Sequence, residues 1–313
     1  MDKKVFSNKI YIGIILFFLN LFCFLIITKI SPIFFIYFTF FFSLLIVLAG
    51  TFEILNAKKI FKKKIRFIYF FYVILNFCYF LSLLMSLFKK QNLFKDKYTN
   101  TLLYNFIFEN FFLSIKNLPF MFLSSFFLLL ILFLFLKDFH IKDLNLLLFI
   151  LLYVVIGSAC FFTLVFLNFK WFLYLFVITI ASDSFSFLGG LLFGKHLLFP
   201  SVSPKKTWEG VFIGFIVSFV LVFSFYLENL NPTNIMFFVF FVILSGFISP
   251  IGDLIASKIK RDFGIKDFSN IIPGHGGFLD RFDSLLILSF FIFLMLLNPF
   301  FPWIQENIIK IIE

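Results

Sequence analysis

The chain has 313 residues, of which 62% are hydrophobic and 61 are Phe, with a formal net charge of +11 and a mean hydropathy of +1.08. A soluble domain is about 45–50% apolar, so this excess excludes an ordinary globular core and reads as a polytopic membrane protein. In that setting the basic surplus serves topology and attraction to anionic headgroups, and nucleic-acid binding is excluded as its purpose.

The chain opens with Lys3, Lys4 and Lys9, then an apolar run over 10–28 that is long enough to span a bilayer. No small-residue cleavage site follows the run, so it reads as a retained first helix. Further apolar runs predict spans over 32–50, 67–88, 119–136, 144–167, 171–188, 211–227, 235–252 and 284–303. The fold class is therefore all-α, a helical bundle of about nine transmembrane helices. Asn168-Phe169-Lys170 separates two runs that together exceed one crossing. Residues 1–170 carry little chemistry, and 171–313 read as the catalytic membrane region.

Most of the 27 Lys and Arg residues fall on the side that holds the N-terminus, which places that side in the cytoplasm of a bacterial-type inner membrane. The segments 189–210 and 253–283 then share the cytoplasmic face, where a soluble charged metabolite reaches both. Cys23, Cys78 and Cys160 lie in apolar runs and read as packing residues. The mixed stretch 89–118 suits an interfacial helix on the outer face. Glu53 reads as an interface residue and His140 as a solvated loop histidine. No internal repeat supports a repeat-built transporter.

The first polar island is residues 181–210. Asp183 follows an apolar run and reads either as a cap or as a carboxylate that orients metal or substrate. Gly189, Gly190 and Gly194 are expected to break the helix. Ser203 is expected to cap a helix with Pro204 in its first turn, so that Lys205, Lys206 and Thr207 stand at a helix start suited to phosphate. Glu209 is one helical turn from Lys205 or Lys206 and is expected to pair with one of them.

The second island is residues 253–284. On a helix, Asp253, Ser257 and Lys260 or Arg261 share one face. Asp280, Asp283 and Ser284 repeat that spacing at the start of the last span. The stretch Ile272-Pro273-Gly274-His275-Gly276-Gly277 is no regular helix, and its glycines permit positive φ and close backbone approach. Asp253, Asp280 and Asp283 near basic groups suggest a hard cation such as Mg²⁺, which takes a carboxylate or two plus substrate phosphates. The histidine and cysteine content argues against zinc, and the glycines do not form a P-loop.

These residues carry a resemblance. Ser257, Lys260-Arg261, Lys266-Asp267, Ser269, Ile272-Pro273, His275-Gly276-Gly277, Asp280-Arg281 and Asp283 look like the signature of the phosphatidate cytidylyltransferases, or CDP-diacylglycerol synthases. Ser203-Pro204-Lys205-Lys206-Thr207-Trp208-Glu209-Gly210 is similar to a second block of that family. After Asp183 the family shows a basic residue behind a glycine, and this chain has Gly189-Gly190 without one.

The resemblance implies CTP and phosphatidic acid as substrates and CDP-diacylglycerol and pyrophosphate as products. Mg²⁺ is implied as cofactor, and a second, monovalent cation is compatible. It casts Asp280 as leading metal ligand, with Asp253 and Asp283 beside it. Lys205, Lys206, Lys260 and Arg281 are cast as phosphate contacts, Ser257 and His275 as polar partners, and Ser203, Thr207, Gly276 and Gly277 as nucleotide-side positions. Membrane lipids are the implied partners, and a homodimer is compatible. Another CTP-dependent lipid enzyme, such as a polyprenol kinase, and an ion transporter are the competing readings.

Overall fold

A computed structural model of the chain describes residues 32–57, 69–70, 72–78, 81, 118–135, 140–168, 170–226, 235–269, 271 and 276–297. The expected span 10–28 and most of 89–118 lie outside these, as does Cys23. The described chain is helical apart from one short hairpin, as expected. Five of its helices are long and apolar enough to cross a membrane, and the protein is a multi-pass integral membrane protein.

The chain divides into two compact units. The first, Ile36–Leu167, holds most of α1 (Pro32–Ala57) and all of α2 (Leu118–Phe135). It also holds a long helix made of α3 (Ile141–Ile150), a π-helical turn (Leu151–Val155) and α4 (Ile156–Leu167). His140 stands just before α3, and its backbone N–H donates to Asp143 Oδ2 at 2.9 Å, which fixes the start of that helix. Helix α1 continues past the expected end at residue 50, so Glu53 lies inside it and is fully buried rather than at an interface. Cys160 is buried and Cys78 half-buried, both unbridged.

The second unit, which includes Asn168 onward, carries the polar islands. It comprises α5 (Lys170–Phe193), β1 (Leu197–Phe199), β2 (Ser203–Thr207), α6 (Trp208–Tyr226), α7 (Ile235–Asp262), a 3₁₀ turn (Leu279–Arg281) and α8 (Asp283–Leu297). Asn168 starts α5 by accepting the Lys170 N–H on its side chain at 2.9 Å.

Helices α5 and α6 run antiparallel, joined by the hairpin, and small residues set their spacing. Ser182, Ser186 and Gly190 recur every fourth residue on α5, and Gly210, Gly214 and Ser218 do so on α6. A Cβ on Gly210 would meet the Gly190 backbone at 2.9–3.0 Å, and one on Gly214 would collide with Ser182 O and Ser186 Oγ. Association in lipid has no hydrophobic drive, so this backbone approach supplies the contact. It also corrects the expected break at Gly189-Gly190: α5 runs through both, and a Cβ at Gly189 would lie 2.8–3.0 Å from Ile213. Those glycines serve close packing, not helix termination.

At the far end, Trp171 and Tyr174 of α5 pack edge-on at 5.6 Å, and Trp171 meets Phe241 of α7 at 6.2 Å. Tyr174 OH donates to Ser245 Oγ at 2.9 Å, and Tyr226 OH to Lys170 O at 2.8 Å. These buried aromatics with satisfied hydroxyls lock α5, α6 and α7 together at the end away from the hairpin.

Gly214→Leu is expected to lower the thermal midpoint of the detergent-solubilised protein by several degrees, since overpacking costs about 1–3 kcal/mol. Val220→Leu, on the exposed face of the same helix, leaves the midpoint unchanged. Equal midpoints for the two variants would refute the small-residue contact.

Candidate active site

The site forms where the C-terminal parts of α5 and α7 meet the hairpin and the start of α8. Asp253 and Ser257 are one turn apart on α7, and the Ser257 hydroxyl donates to Asp253 Oδ1 at 3.3 Å. Opposite them lies β2. Lys206 turns inward and pairs with Asp253 Oδ2 at 2.6 Å, while Lys205 is exposed. One turn further along α7, Lys260 Nζ bonds Asp280 Oδ1 at 2.8 Å, with the two side chains only 9% and 6% exposed.

Asp280 is a knot. Its Oδ2 accepts the N–H of Gly277 at 2.8 Å and of Phe268 at 3.1 Å. Gly276 has φ +82°, and a Cβ there would sit 3.0 Å from Asp280 Oδ2, so only glycine lets the chain wrap this carboxylate. Lys260 also lies 5.5 Å from the centre of the Phe268 ring.

Asp283 opens α8. Its Oδ1 accepts the Ser284 N–H at 2.7 Å, while Oδ2 is buried with no hydrogen-bond partner. Gly252 brings α7 against this corner, since a Cβ there would lie 2.8 Å from Ser284 Cα. The Ser284 hydroxyl is 3.3 Å from Asp183 Oδ2 and 3.4 Å from Asp283 Oδ1, so its single proton serves one carboxylate at a time. Asp183, Asp253 and Asp283 lie within electrostatic reach of one another, with Lys206 and Lys260 as the nearest cations. Burial works against the charge on Lys206. The carboxylates of Asp253 and then Asp183 override it and hold its pKa above the ordinary lysine value.

Among the described residues no three Asp, Glu, His or Cys side chains converge closely enough to hold a metal ion on their own. The donor set nevertheless fits Mg²⁺, which binds through a carboxylate or two and completes its shell with water and substrate phosphate. The unpartnered, buried Asp283 Oδ2 is the atom such an ion would satisfy.

Residues 9–298 match the profile of the Cytidylyltransferase family. The chain belongs to that family. Over 132 residues it is 44% identical to the phosphatidate cytidylyltransferase of Haemophilus influenzae, covering 40% of this chain and 46% of that one. It is 49% identical over 108 residues to the chloroplastic phosphatidate cytidylyltransferase 5 of Arabidopsis thaliana, covering 34% and 26%. The Rickettsia conorii phosphatidate cytidylyltransferase is 38% identical over 135 residues, covering 40% and 58%. The chain thus spans about half or less of the length of these relatives.

In this cytidylyltransferase-family chain the expected residues sort into four groups. Asp253, Ser257, Lys260, Asp280, Asp283 and Lys206 come together. Arg281 is exposed, with its charge in reach of Asp183. Ser203, Lys205, Thr207, Gly276 and Gly277 do other work, and His275 lies outside the described residues. The expected helix start at Ser203 is instead strand β2, with Ser203 paired to Phe199. Thr207 is the real cap, its Oγ1 accepting the Gly210 N–H at 3.2 Å, and α6 begins at Trp208. Glu209 pairs with His196 Nδ1 at 2.6 Å and accepts the backbone N–H groups of Lys195 and His196, and so braces the hairpin instead of a lysine. Arg261 leaves the shared face, donating to Val202 O at 3.3 Å and Ile265 O at 3.0 Å.

Asp280 differs most from expectation as leading metal ligand, because both its oxygens are taken by Lys260 and two backbone donors. Asp183 joins the cluster, in line with the second of its two readings, and Ser284, noted only for its spacing, joins it too. The signal for Asp183 was an ionisable residue inside an apolar span.

Asp280→Asn strands the buried Lys260 ammonium and is expected to cost about 3–5 kcal/mol, read as a lower thermal midpoint in detergent. Lys260→Met with Asp280→Leu recovers most of that loss. A midpoint for Asp280→Asn equal to the parent's would remove the knot.

Proposed function

We propose that the protein is a CTP:phosphatidate cytidylyltransferase of a bacterial-type inner membrane, with its active site open to the cytoplasm. The observation that carries the reading is the buried carboxylate oxygen of Asp283, beside Asp253 and Asp183 and under two lysines. That arrangement calls for a hard cation bearing phosphate. The basic bias of the 189–210 and 253–283 segments supports the cytoplasmic orientation, and the names of the relatives support the substrates.

Both substrates are anionic, so their repulsion must be neutralised before they can react. Mg²⁺, held by the open oxygen of Asp283 and by Asp253 once Lys206 exchanges it for phosphate, with Asp183 alongside, would supply charge neutralisation for the substrate phosphates. Lys206 stays protonated through the neutral range and meets a phosphate oxygen. Lys260, locked to Asp280, adds a fixed positive potential without reorganisation. An ionised oxygen of the lipid phosphate attacks the α-phosphorus of CTP. The new O–P bond forms as the bond to the β-phosphate bridge breaks, and pyrophosphate leaves. The nucleophile is already ionised near neutral pH, so no general base is needed, and the residues position and stabilise charge.

The test is purified protein with labelled CTP, phosphatidic acid and Mg²⁺. CDP-lipid and pyrophosphate are expected, and chelation by EDTA stops turnover. CDP as the nucleotide product would favour a lipid kinase, and loss of the whole reading follows if no CTP is consumed. Lys206→Met is expected to lower kcat/KM by about 10²–10³-fold, the scale of losing one charge stabiliser. Lys205→Met, on the opposite strand face, changes it by only a few-fold.

Asp283→Asn replaces the buried carboxylate, whose Oδ2 has no hydrogen-bond partner, by a neutral amide. It is expected to hold or raise the thermal midpoint while abolishing turnover and the Mg²⁺-induced rise in that midpoint. A Mg²⁺ shift that survives Asp283→Asn would take Asp283 out of the cation site.

A further inference from the structure

The hairpin that delivers Lys206 has an unusual surface. Leu197 and Phe199 are 48% and 49% exposed and lie on one face of β1, and Trp208, the first residue of α6, is 49% exposed. Trp208 also begins a stripe of exposed residues, Phe212, Ile216 and Val220, spaced every fourth position down α6. Such a stripe faces lipid, and a Trp at its end sits at the level of the headgroups. Lys195 and Lys205 stand exposed on either strand side of this apolar edge.

Two constraints bracket the hairpin's depth. Among the described residues it has only two strands, so both its edges carry backbone N–H and C=O groups without a further strand, which cannot lie in hydrocarbon unsatisfied. Two large exposed apolar side chains on so small an element, with Trp208 directly after it, are equally out of place in bulk water. The layer that meets both demands is the interface, where headgroups and water serve the backbone, acyl chains take the apolar edge and lysines meet anionic phosphate.

We infer that the β1–β2 hairpin lies in the headgroup layer as an anionic-lipid contact, with Leu197, Phe199 and Trp208 dipped to the acyl boundary and Lys195 and Lys205 on phospholipid phosphates. The hairpin is also tied to the site from both ends. Arg261 of α7 holds Val202 O at the turn, and Lys206 holds Asp253. Anionic headgroups gathered at Lys205 therefore stand one residue from the inward-facing Lys206, on the other face of the same strand. This deepens the proposed function by naming where a lipid phosphate enters, and its test requires no turnover, so the two can fail separately.

The chain has three Trp residues, at 171, 208 and 303. The full-length protein is placed in nanodiscs with a fixed fraction of phosphatidylcholine brominated at the upper acyl positions, the remainder being plain phosphatidylcholine or phosphatidylglycerol. The Trp208 signal is the difference between the parent and Trp208→Phe. A second probe, Phe199→Trp in the Trp208→Phe background, reports on β1. Both probes are expected to lose at least half their intensity to brominated lipid, to resist aqueous acrylamide, and to be quenched more strongly with phosphatidylglycerol. Lys195→Gln with Lys205→Gln is expected to abolish that lipid dependence. Quenching by acrylamide and not by bromine would place the hairpin in water. Quenching by neither would show that protein, such as a second copy, covers it. Equal bromine quenching in both lipid mixtures would remove the anionic contact. Any of these three results overturns the inference.

Discussion

Lys260 and Asp280 form the pair on which the catalytic end of the second unit depends. Each is nearly excluded from solvent, and neither can lose its partner without leaving a buried charge. Through this one contact α7, the segment around Phe268, the Gly276-Gly277 turn and the 3₁₀ turn before α8 become a single piece. The glycines of the turn, expected to allow close backbone approach to a ligand, instead approach Asp280, to which Gly277 donates its N–H. The rigidity they create puts Asp283 at the head of α8 with one oxygen unmatched. One carboxylate of this short motif is fully paired and the other keeps an open oxygen.

The other wall of the site is set by the size of side chains, not by their charge. Ser182, Ser186 and Gly190 let α6 approach until Gly210 and Gly214 touch the α5 backbone. That approach fixes where the hairpin leaves α5 and returns to α6, and so where β2 lies. The seating of β2 there turns Lys206, and not the exposed Lys205, onto Asp253. A single-residue slip in β2 would exchange the two lysines between site and surface.

The helical, membrane-spanning character was legible in composition alone, and the spans near 144–167, 171–188, 211–227 and 235–252 correspond to long apolar helices. The i, i+4, i+7 placement of Asp253, Ser257 and Lys260 was also legible, because helix geometry fixes which side chains share a face. What stayed hidden depended on partners distant in the chain. Ser203-Pro204 offers the chemistry of a helix start, but pairing with β1 makes it a strand and passes the cap to Thr207. Gly189-Gly190 reads as a break only until Ile213 and Gly210 fill the space beside it. Nothing local in Asp280-Arg281-Phe282-Asp283 says which aspartate is saturated. That follows from Lys260, twenty residues earlier, and from backbone donors on two other segments.

The depth of the carboxylates explains why they cluster. Ten residues of α5 separate Asp183 from the helix end at Phe193, about 15 Å at 1.5 Å per residue. Leu191, Leu192 and Phe193, beyond it, are exposed and apolar. Apolar surface therefore continues past the carboxylates toward the hairpin end of the helix, and Asp183 itself is left open to the outside at a level flanked by apolar side chains. Isolated there, a carboxylate would be costly. Lys206 and Lys260 offset part of that cost, and Ser257 and Ser284 share protons with the remainder. Lys206, Lys260 and the more distant Arg281 stand against four carboxylates, Asp183, Asp253, Asp280 and Asp283, and the buried Asp283 Oδ2 has no hydrogen-bond partner. The proposed cation would offset that surplus and bring open coordination positions for the phosphates of a ligand.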